Sequence, residues 1–415
     1  MNLEQIKAAE SRLLLSTYDR YPIHFVDGEG VYLVDENGER YLDLLSGIGV
    51  NALGYGHPVI EQAIAEQSKR LLHISNLFYH DGQACLAERL TAMSGMDRAF
   101  FSNSGTEAWE AALKLARAHA GEQRKAGKAL GTRFLALEHS FHGRTMGSVA
   151  TTYTAKYREP FAPVMPDVEF VRFNDVEDLK AKFSTEVCAV LLEAVQGEGG
   201  VRPVSRAFIE AARELTHATG ALLVVDEIQA GLGRTGKWFA YQHYGVQPDI
   251  TTLAKPLAGG LPLGAMLATE SVAQAFHPGM HGTTFGGGPL ACAVALAVID
   301  VIEREHLLDH VTRIGTYFRE RLTELARRHA CILDVRGMGL MLAVELQNAE
   351  QARQAHKAML ARRILINRTQ ETVLRLLPPY LLNESEVDGT VQAFDEIFTE
   401  LTAKSAHAQA GGQLG

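Results

Sequence analysis

Seven short apolar runs between residues 98 and 270, separated by helix-like segments, constrain this chain more than any other feature. They are RAFFSN, FLALE, VEFVRF, CAVLLEAV, ALLVVDE, ITTLAK and AMLATE. Short runs rich in β-branched and aromatic residues read as strands buried on both faces. Their alternation with helical patterns is the signature of a mostly parallel sheet covered by helices on both sides. The expected fold class is therefore α/β, with a large domain over residues 61–300. Ligands of such sheets sit at the carboxyl ends of the strands, so residues just after each run are the first candidates for chemistry.

The flanking segments read differently. Residues 1–60 give a helix, a meander (HFVDGEGVYLVDENGERYLDLL) with turns at Asp27-Gly28 and Asn37-Gly38, and the glycine-rich SGIGVNALGYGHP, which predicts an irregular functional loop. This part is expected to pack with a smaller α+β domain over 301–403, whose elements are CILDVRGMGLMLAVEL, HKAMLARRILIN and VLRLLPP. PLACAVALAVIDVIEREHLLDHVTRIGTYFRERL reads as one long helical segment joining the two domains. Residues 404–415 are expected to be disordered.

A chain of 415 residues with 47% apolar content can bury a large core in two domains. Its net charge of −9, without a sustained basic run, argues against nucleic acid or an anionic membrane as partner. The four cysteines (Cys85, Cys188, Cys292, Cys331) have no paired spacing, which fits free thiols in a reducing compartment and neither a disulfide framework nor a metal site. The start is too acidic for a signal peptide, and the longest apolar run, Ala291 to Ile299, is half a membrane span at most. A cytoplasmic protein is expected.

Two strand ends carry the sharpest chemistry. ALLVVDE stops at Asp226, and ITTLAK stops at Lys255 before Pro256 and a Gly-Gly pair. A lysine bracketed by apolar residues loses its proton readily, because burial disfavours the ammonium, and its free amine attacks carbonyls. Pyridoxal phosphate needs such a lysine for its aldehyde and a carboxylate for its pyridinium nitrogen. Taken alone, Asp226 is more often a cap and Lys255 a solvated charge. FFSNSGTEAWEAALKLARAH adds a capping box, Ser104 and Glu107, that leaves the N–H groups of Gly105 and Thr106 at a helix N-terminus, a ready anion site. It lacks the Walker pattern, so a monophosphate fits better than a triphosphate. Thr284, in HGTTFGG, can donate to the same phosphate. In FHGRT, Phe141 can stack on a flat ring and Arg144 can bind a carboxylate; the alternatives are a core Phe and a surface Arg. Arg375 lies between apolar residues and needs an anion, for which Glu193 and Glu198 in LEAVQGEGGV are both candidates.

In this order, SGIGVNALGYGHP, FFSNSGTEA, FHGRT, VQGEGGV, VVDEIQAGLGRTG, TLAKPLAGGLPLGA, HGTTFGG and RGMGLM resemble the class III pyridoxal-phosphate aminotransferases of fold type I, above all the acetylornithine group, over about residues 15 to 400. The resemblance implies that Lys255 bonds the cofactor aldehyde and shuttles the proton. It implies that Asp226 keeps the pyridinium protonated, Gln229 bonds the phenolic oxygen, and Phe141 and Ile228 sandwich the ring. Gly105 and Thr106 would hold the phosphate with Thr284 of a neighbouring subunit, which requires a homodimer. Arg144, with Tyr18, would bind the distal carboxylate of an ω-amino donor. Arg375 would bind the near carboxylate of glutamate, masked by Glu198 until needed.

The implied activity is ω-amino transfer from N-acetylornithine to 2-oxoglutarate in arginine biosynthesis. Other donors (N-succinyl-diaminopimelate, ornithine, 4-aminobutyrate) are the nearest alternatives, and a mutase or decarboxylase on the same scaffold is a more distant one. A non-enzymatic regulator is disfavoured by the presence of both Lys255 and Asp226. Three positions depart from the family pattern: Trp109 replaces a usual Asn, Gly288 interrupts the usual GGNP, and Ile48 stands where ornithine-specific relatives carry tyrosine. The first two are expected to loosen cofactor affinity or shift the dimer interface.

Overall fold

Chain order alone brings three of the candidate residues to one edge of one sheet. The computed structural model describes the backbone of residues 1–411 and the side chains of residues 1–403. The N-terminal meander is β1 (Phe25–Glu29), β2 (Tyr32–Asp35) and β3 (Arg40–Asp43). Then come β4 (Arg98–Ser102), β5 (Arg133–Leu137), β6 (Val168–Val171), β7 (Val187–Glu193), a small hairpin of β8 (Val195–Gln196) and β9 (Arg202–Pro203), β10 (Leu222–Asp226), β11 (Ile250–Leu253) and β12 (Gly264–Ala268). The central sheet has the order β4-β12-β11-β10-β7-β5-β6 and contains all seven runs read as strands.

The pairs from β11 through β6 are parallel, whereas β12 runs antiparallel to both its neighbours. The reversal has a local cause. After Lys255 the chain makes a short 3-10 turn and then places Gly259 and Gly260 at φ 55° and 108°, a left-handed bend that sends it straight back alongside β11. Parallel neighbours need a long crossover; this tight return can only be antiparallel. The register of the parallel strands sets Glu193, Asp226 and Thr252 side by side, and Lys255 follows three residues later.

Every residue of β7 and β10 is buried, as expected of strands covered on both faces. One cover is the helix Gly105–Lys125, whose inward face is mostly alanine (Ala108, Ala111, Ala112, Ala116) and so approaches the sheet closely.

The smaller domain is an antiparallel sheet of β13 (Ile332–Met338), β14 (Met341–Leu346), β17 (Val373–Leu376) and β16 (Asn367–Thr369), in that order. The short β15 (Ile364–Leu365) leaves this region to pair with β3 in the meander's sheet. The segment read as one long helix is broken: Pro289–Arg304 and Leu307–Arg328 meet at His306, which has φ +52°. The second helix buries Val311, Ile314, Phe318, Leu322 and Leu325, a 3.6-residue period that faces it into the small domain. The glycine-rich loop is not wholly irregular either, because Ser46–Gly49 forms a turn with Gly47 and Ile48 in the left-handed region. The last helix is described to Gly411; residues 412–415, the end of the tail expected to be disordered, lie outside the described residues.

Leu191 lies at the middle of β7 and is fully buried. Leu191→Ala should cost about 2–5 kcal/mol through lost burial and the cavity left behind. Denaturant unfolding checks this; a loss well under 1 kcal/mol would mean the sheet centre is not packed as described.

Candidate active site

The carboxyl ends of β7, β10 and β11 open onto a recess of about 350 Å³. Lys255, Asp226, Glu193 and Glu198 line it, as do the apolar Phe141 and Ile228. Gly105 and Thr106 close one end and Gln229 another side. Eight of the twelve residues singled out from the sequence therefore face one cavity, and Glu193 joins them.

Asp226 is held from several sides. Its Oδ1 accepts from the N–H of Ile228 at 2.9 Å and from Thr252 Oγ1 at 3.4 Å. Its Oδ2 lies 2.7 Å from His142 Nδ1, with both side chains almost wholly out of water. A carboxylate only accepts, so the proton sits on Nδ1 and the imidazole donates. His142 did not stand out in the sequence, although it lies between Phe141 and Arg144 in FHGRT. Neither helical nor strand periodicity marks a histidine that will meet an acid 84 positions on.

Burial pushes the Lys255 ammonium below its ordinary range, and Glu198 opposes the shift. Its backbone φ of +26° is unusual for a residue with a side chain, a small strain of the kind stored at working sites. Burial likewise raises the Glu193 carboxyl to about 7. That group accepts from the N–H of Phe141 at 3.1 Å and of Gly197 at 3.0 Å, and so fixes two loops around the recess.

Arg375, on β17, is fully buried. Its Nη1 donates to Glu198 Oε1 at 2.6 Å and to Gln229 Oε1 at 3.1 Å, and its Nε donates to Asn367 at 3.0 Å. Of the two partners considered for Arg375, Glu198 is the one engaged. Burial pushes Glu198 up, but the Arg375 charge outweighs it and holds the carboxyl below its ordinary range. Arg375 Nη2 has no partner among the described residues, so one arm of a buried cation remains unsatisfied. Such an arm suits a second anion.

The helix Gly105–Lys125 starts at the recess. Ser104 caps it by accepting from Glu107 N, but the Glu107 carboxylate accepts from Asn103 N at 2.6 Å, one residue earlier than a reciprocal capping box requires. No hydrogen bond from the N–H of Gly105 or Thr106 occurs among the described residues, which leaves both free at the positive end of a 21-residue helix. A Cβ at Gly105 would lie 2.9 Å from Ile228 Cγ2, and one at Gly197 only 1.9 Å from Gln229 Oε1. Both glycines are needed for the walls to close.

The other candidates stay outside. Arg144 is exposed and stacks 3.6 Å over Tyr157, with the Phe141 ring 5.7 Å from its guanidinium. Tyr18 is 75% exposed beside a separate shallow recess. Thr284 is exposed and does not line the recess. Trp109, expected to affect a dimer interface or the cofactor, is fully buried and packs against His142. Gly288 caps the helix Pro289–Arg304 without a side-chain bond.

The class-III aminotransferase family model matches residues 16–398. The chain is a class-III aminotransferase. It is 46% identical to acetylornithine aminotransferase 1 of Bordetella pertussis over 95% of this chain and 99% of the relative. It is 43% identical to acetylornithine aminotransferase of Methanocaldococcus jannaschii, covering 94% and 97%. A solved ornithine aminotransferase of Toxoplasma gondii, with PLP at partial occupancy in its active site, superposes with a TM-score of 0.92 at 31% identity, covering 97% and 95%. The enzyme is thus a transaminase. Among its described residues no cluster could hold a metal ion, and no helix is long and apolar enough to cross a membrane.

Because the Glu193 carboxyl is raised by folding, the folded state binds more protons than the unfolded one between its ordinary value of 4.5 and about 7. Its stabilising contribution is full below that window, falls as pH rises through it, and is constant above. Glu193→Gln should therefore gain stability relative to wild type as pH rises from 4.5 to about 7, as read from denaturation midpoints. A pH-independent difference would show that Glu193 ionises normally.

Proposed function

We propose that the enzyme transfers the ω-amino group of N-acetylornithine to 2-oxoglutarate, giving N-acetylglutamate semialdehyde and glutamate, a step of arginine biosynthesis. It works in the cytoplasm as a homodimer with pyridoxal 5'-phosphate. The observation that carries this reading is the Glu198–Arg375 pair at 2.6 Å, in which a half-buried carboxylate covers a fully buried cation that keeps one arm unsatisfied among the described residues. Two substrates of different shape need such a removable cover.

The residues fit the cofactor on their own chemistry. An amine held below its ordinary range, a carboxylate fixed by three partners, free N–H groups at a helix N-terminus and two apolar side chains surround one recess. When bound, the cofactor supplies an electron sink for removing the proton beside the substrate nitrogen. Lys255 would hold the cofactor aldehyde, and its amine is placed to move that proton; Asp226 would hold the proton on the ring nitrogen. Gln229, whose amide oxygen accepts from Arg375, would offer its N–H₂ to the phenolic oxygen. Gly105 and Thr106 hold the phosphate.

N-acetylornithine keeps its α-carboxylate far from the reacting amine, where Arg144 and Tyr18 bind it while Glu198 covers Arg375. Glutamate reacts through its α-amine, so its near carboxylate takes Arg375 once Glu198 swings away. The homodimer is supported by an exposed apolar surface around Leu77, Phe78, Tyr79 and Phe285, beside Thr284. Asn76 ties its two segments together by donating to the carbonyls of Thr283 and Gly286. Thr284 then completes the phosphate site of the partner.

Mixing the cofactor-loaded enzyme with each amine, without keto acid, tests the reading. N-acetylornithine should bleach the absorbance of the lysine-bound cofactor faster than ornithine, N-succinyl-diaminopimelate or 4-aminobutyrate, and 2-oxoglutarate should restore it. Bleaching by another amine alone would keep the reaction class and change the donor. Glu198→Ala should raise the rate with glutamate relative to N-acetylornithine by about tenfold, or ~1.4 kcal/mol. An unchanged ratio would remove the cover idea.

A further inference from the structure

Trp109 occupies a position that the recess alone does not explain. Its indole is fully buried and lies flat on the imidazole of His142, with ring centroids 4.0 Å apart and planes 8° from parallel. The indole N–H is satisfied by Thr151 Oγ1 at 2.9 Å, so the ring is fixed along its edge as well as its face. His142 has few other attachments. Its main-chain N–H donates to Thr152 Oγ1 at 3.0 Å, and its Nε2 is buried without a partner among the described residues. Among the described residues, the bond from Nδ1 to Asp226 is therefore the only polar hold on the imidazole ring.

A ring held by one hydrogen bond can turn over and lose it. A flat aromatic surface in parallel contact blocks that rotation and excludes the water that would otherwise compete for Asp226. Trp109 also lies one helical turn beyond Gly105, on the same face of the same helix. That helix therefore supports both ends of the recess, the free N–H groups at its start and, through Trp109 and His142, the carboxylate of Asp226.

We infer that Trp109 is a positioning residue: it clamps His142 so that Asp226 presents its carboxylate at a set distance from the anion cradle at Gly105 and Thr106. The ligand such a pair of sites selects is a rigid aromatic ring with a protonated nitrogen at one end and a phosphate at the other. The inference rests on the cofactor reading above and adds to it the residue that fixes the spacing. Nothing in it requires Trp109 to touch the ligand.

The test compares Trp109→Leu, which keeps an apolar side chain without a flat face, with Trp109→Phe, which keeps an aromatic face and drops the bond to Thr151. The probe is pyridoxal phosphate labelled with nitrogen-15 in its ring, bound to the purified protein and read by nitrogen NMR. Wild type and Trp109→Phe should show a protonated ring nitrogen. In Trp109→Leu the signal should move toward the unprotonated position and pyridoxal phosphate should bind about tenfold more weakly, the scale on which supporting residues behind a bound group act. A wild-type nitrogen signal in Trp109→Leu overturns the inference, since a merely space-filling role would leave it unmoved. If wild type binds no pyridoxal phosphate, the cofactor reading falls first and takes this one with it. Should Trp109→Leu not fold, the ring N–H of His142 in wild type decides, identified by its loss in His142→Asn. Slow exchange with solvent supports the clamp, and rapid exchange refutes it.

Discussion

The site depends on taking several ionisable groups out of water together. A lone buried charge costs several kcal/mol and normally neutralises itself. Here Lys255, Asp226, Glu193, Glu198 and Arg375 share one low-dielectric region, and each modifies the others. Arg375 keeps Glu198 ionised against its burial, while Glu193, which has no ion pair among the described residues, is pushed up to about 7 mainly by burial. Lys255 is pulled both ways, by burial toward the neutral amine and by the acids toward the ammonium, and burial prevails. The reactive form of the lysine is thus a consequence of where the parallel strands end.

The same arrangement shows why much of this could be read from the chain. Strand ends are local features: an apolar run that stops at Asp226 or Lys255 is visible without the fold, and the seven runs became the seven strands of the sheet. The capped helix start at Ser104 is equally local. What escaped needs long-range geometry. His142 acquires meaning only when β10 brings Asp226 to it, and Trp109 reads as an oddity until the helix Gly105–Lys125 presses it on that imidazole. The break at His306 was hidden because apolar periodicity continues on both sides of it while the chain turns through a left-handed residue. Tyr18, Arg144 and Thr284 lie outside the recess of this chain, so a single chain does not assemble the roles that the family resemblance gave them.

The Glu198–Arg375 pair also joins two of the sheets. Glu198 belongs to the turn between β8 and β9, just beyond β7 of the large sheet, and Arg375 lies in β17 of the small one. The main chain of that loop is held by the small domain as well: Thr369 Oγ1 donates to the Glu198 carbonyl at 2.6 Å, Gln370 Nε2 to the same oxygen at 2.9 Å, and Arg336 Nε to the Gly200 carbonyl at 2.9 Å. Moving the loop would break three hydrogen bonds, each worth about 1 kcal/mol net and more where a charged donor is left buried. Turning the Glu198 side chain breaks its contacts with Arg375 and Gln229 but leaves that loop backbone in place, and in the proposed cycle an incoming carboxylate takes over the Arg375 contact. The cheaper motion is the rotation. In the proposed cycle such a cover would expose the cation to a substrate carboxylate that takes its place and to little else, since water alone would leave a buried guanidinium without its counter-charge.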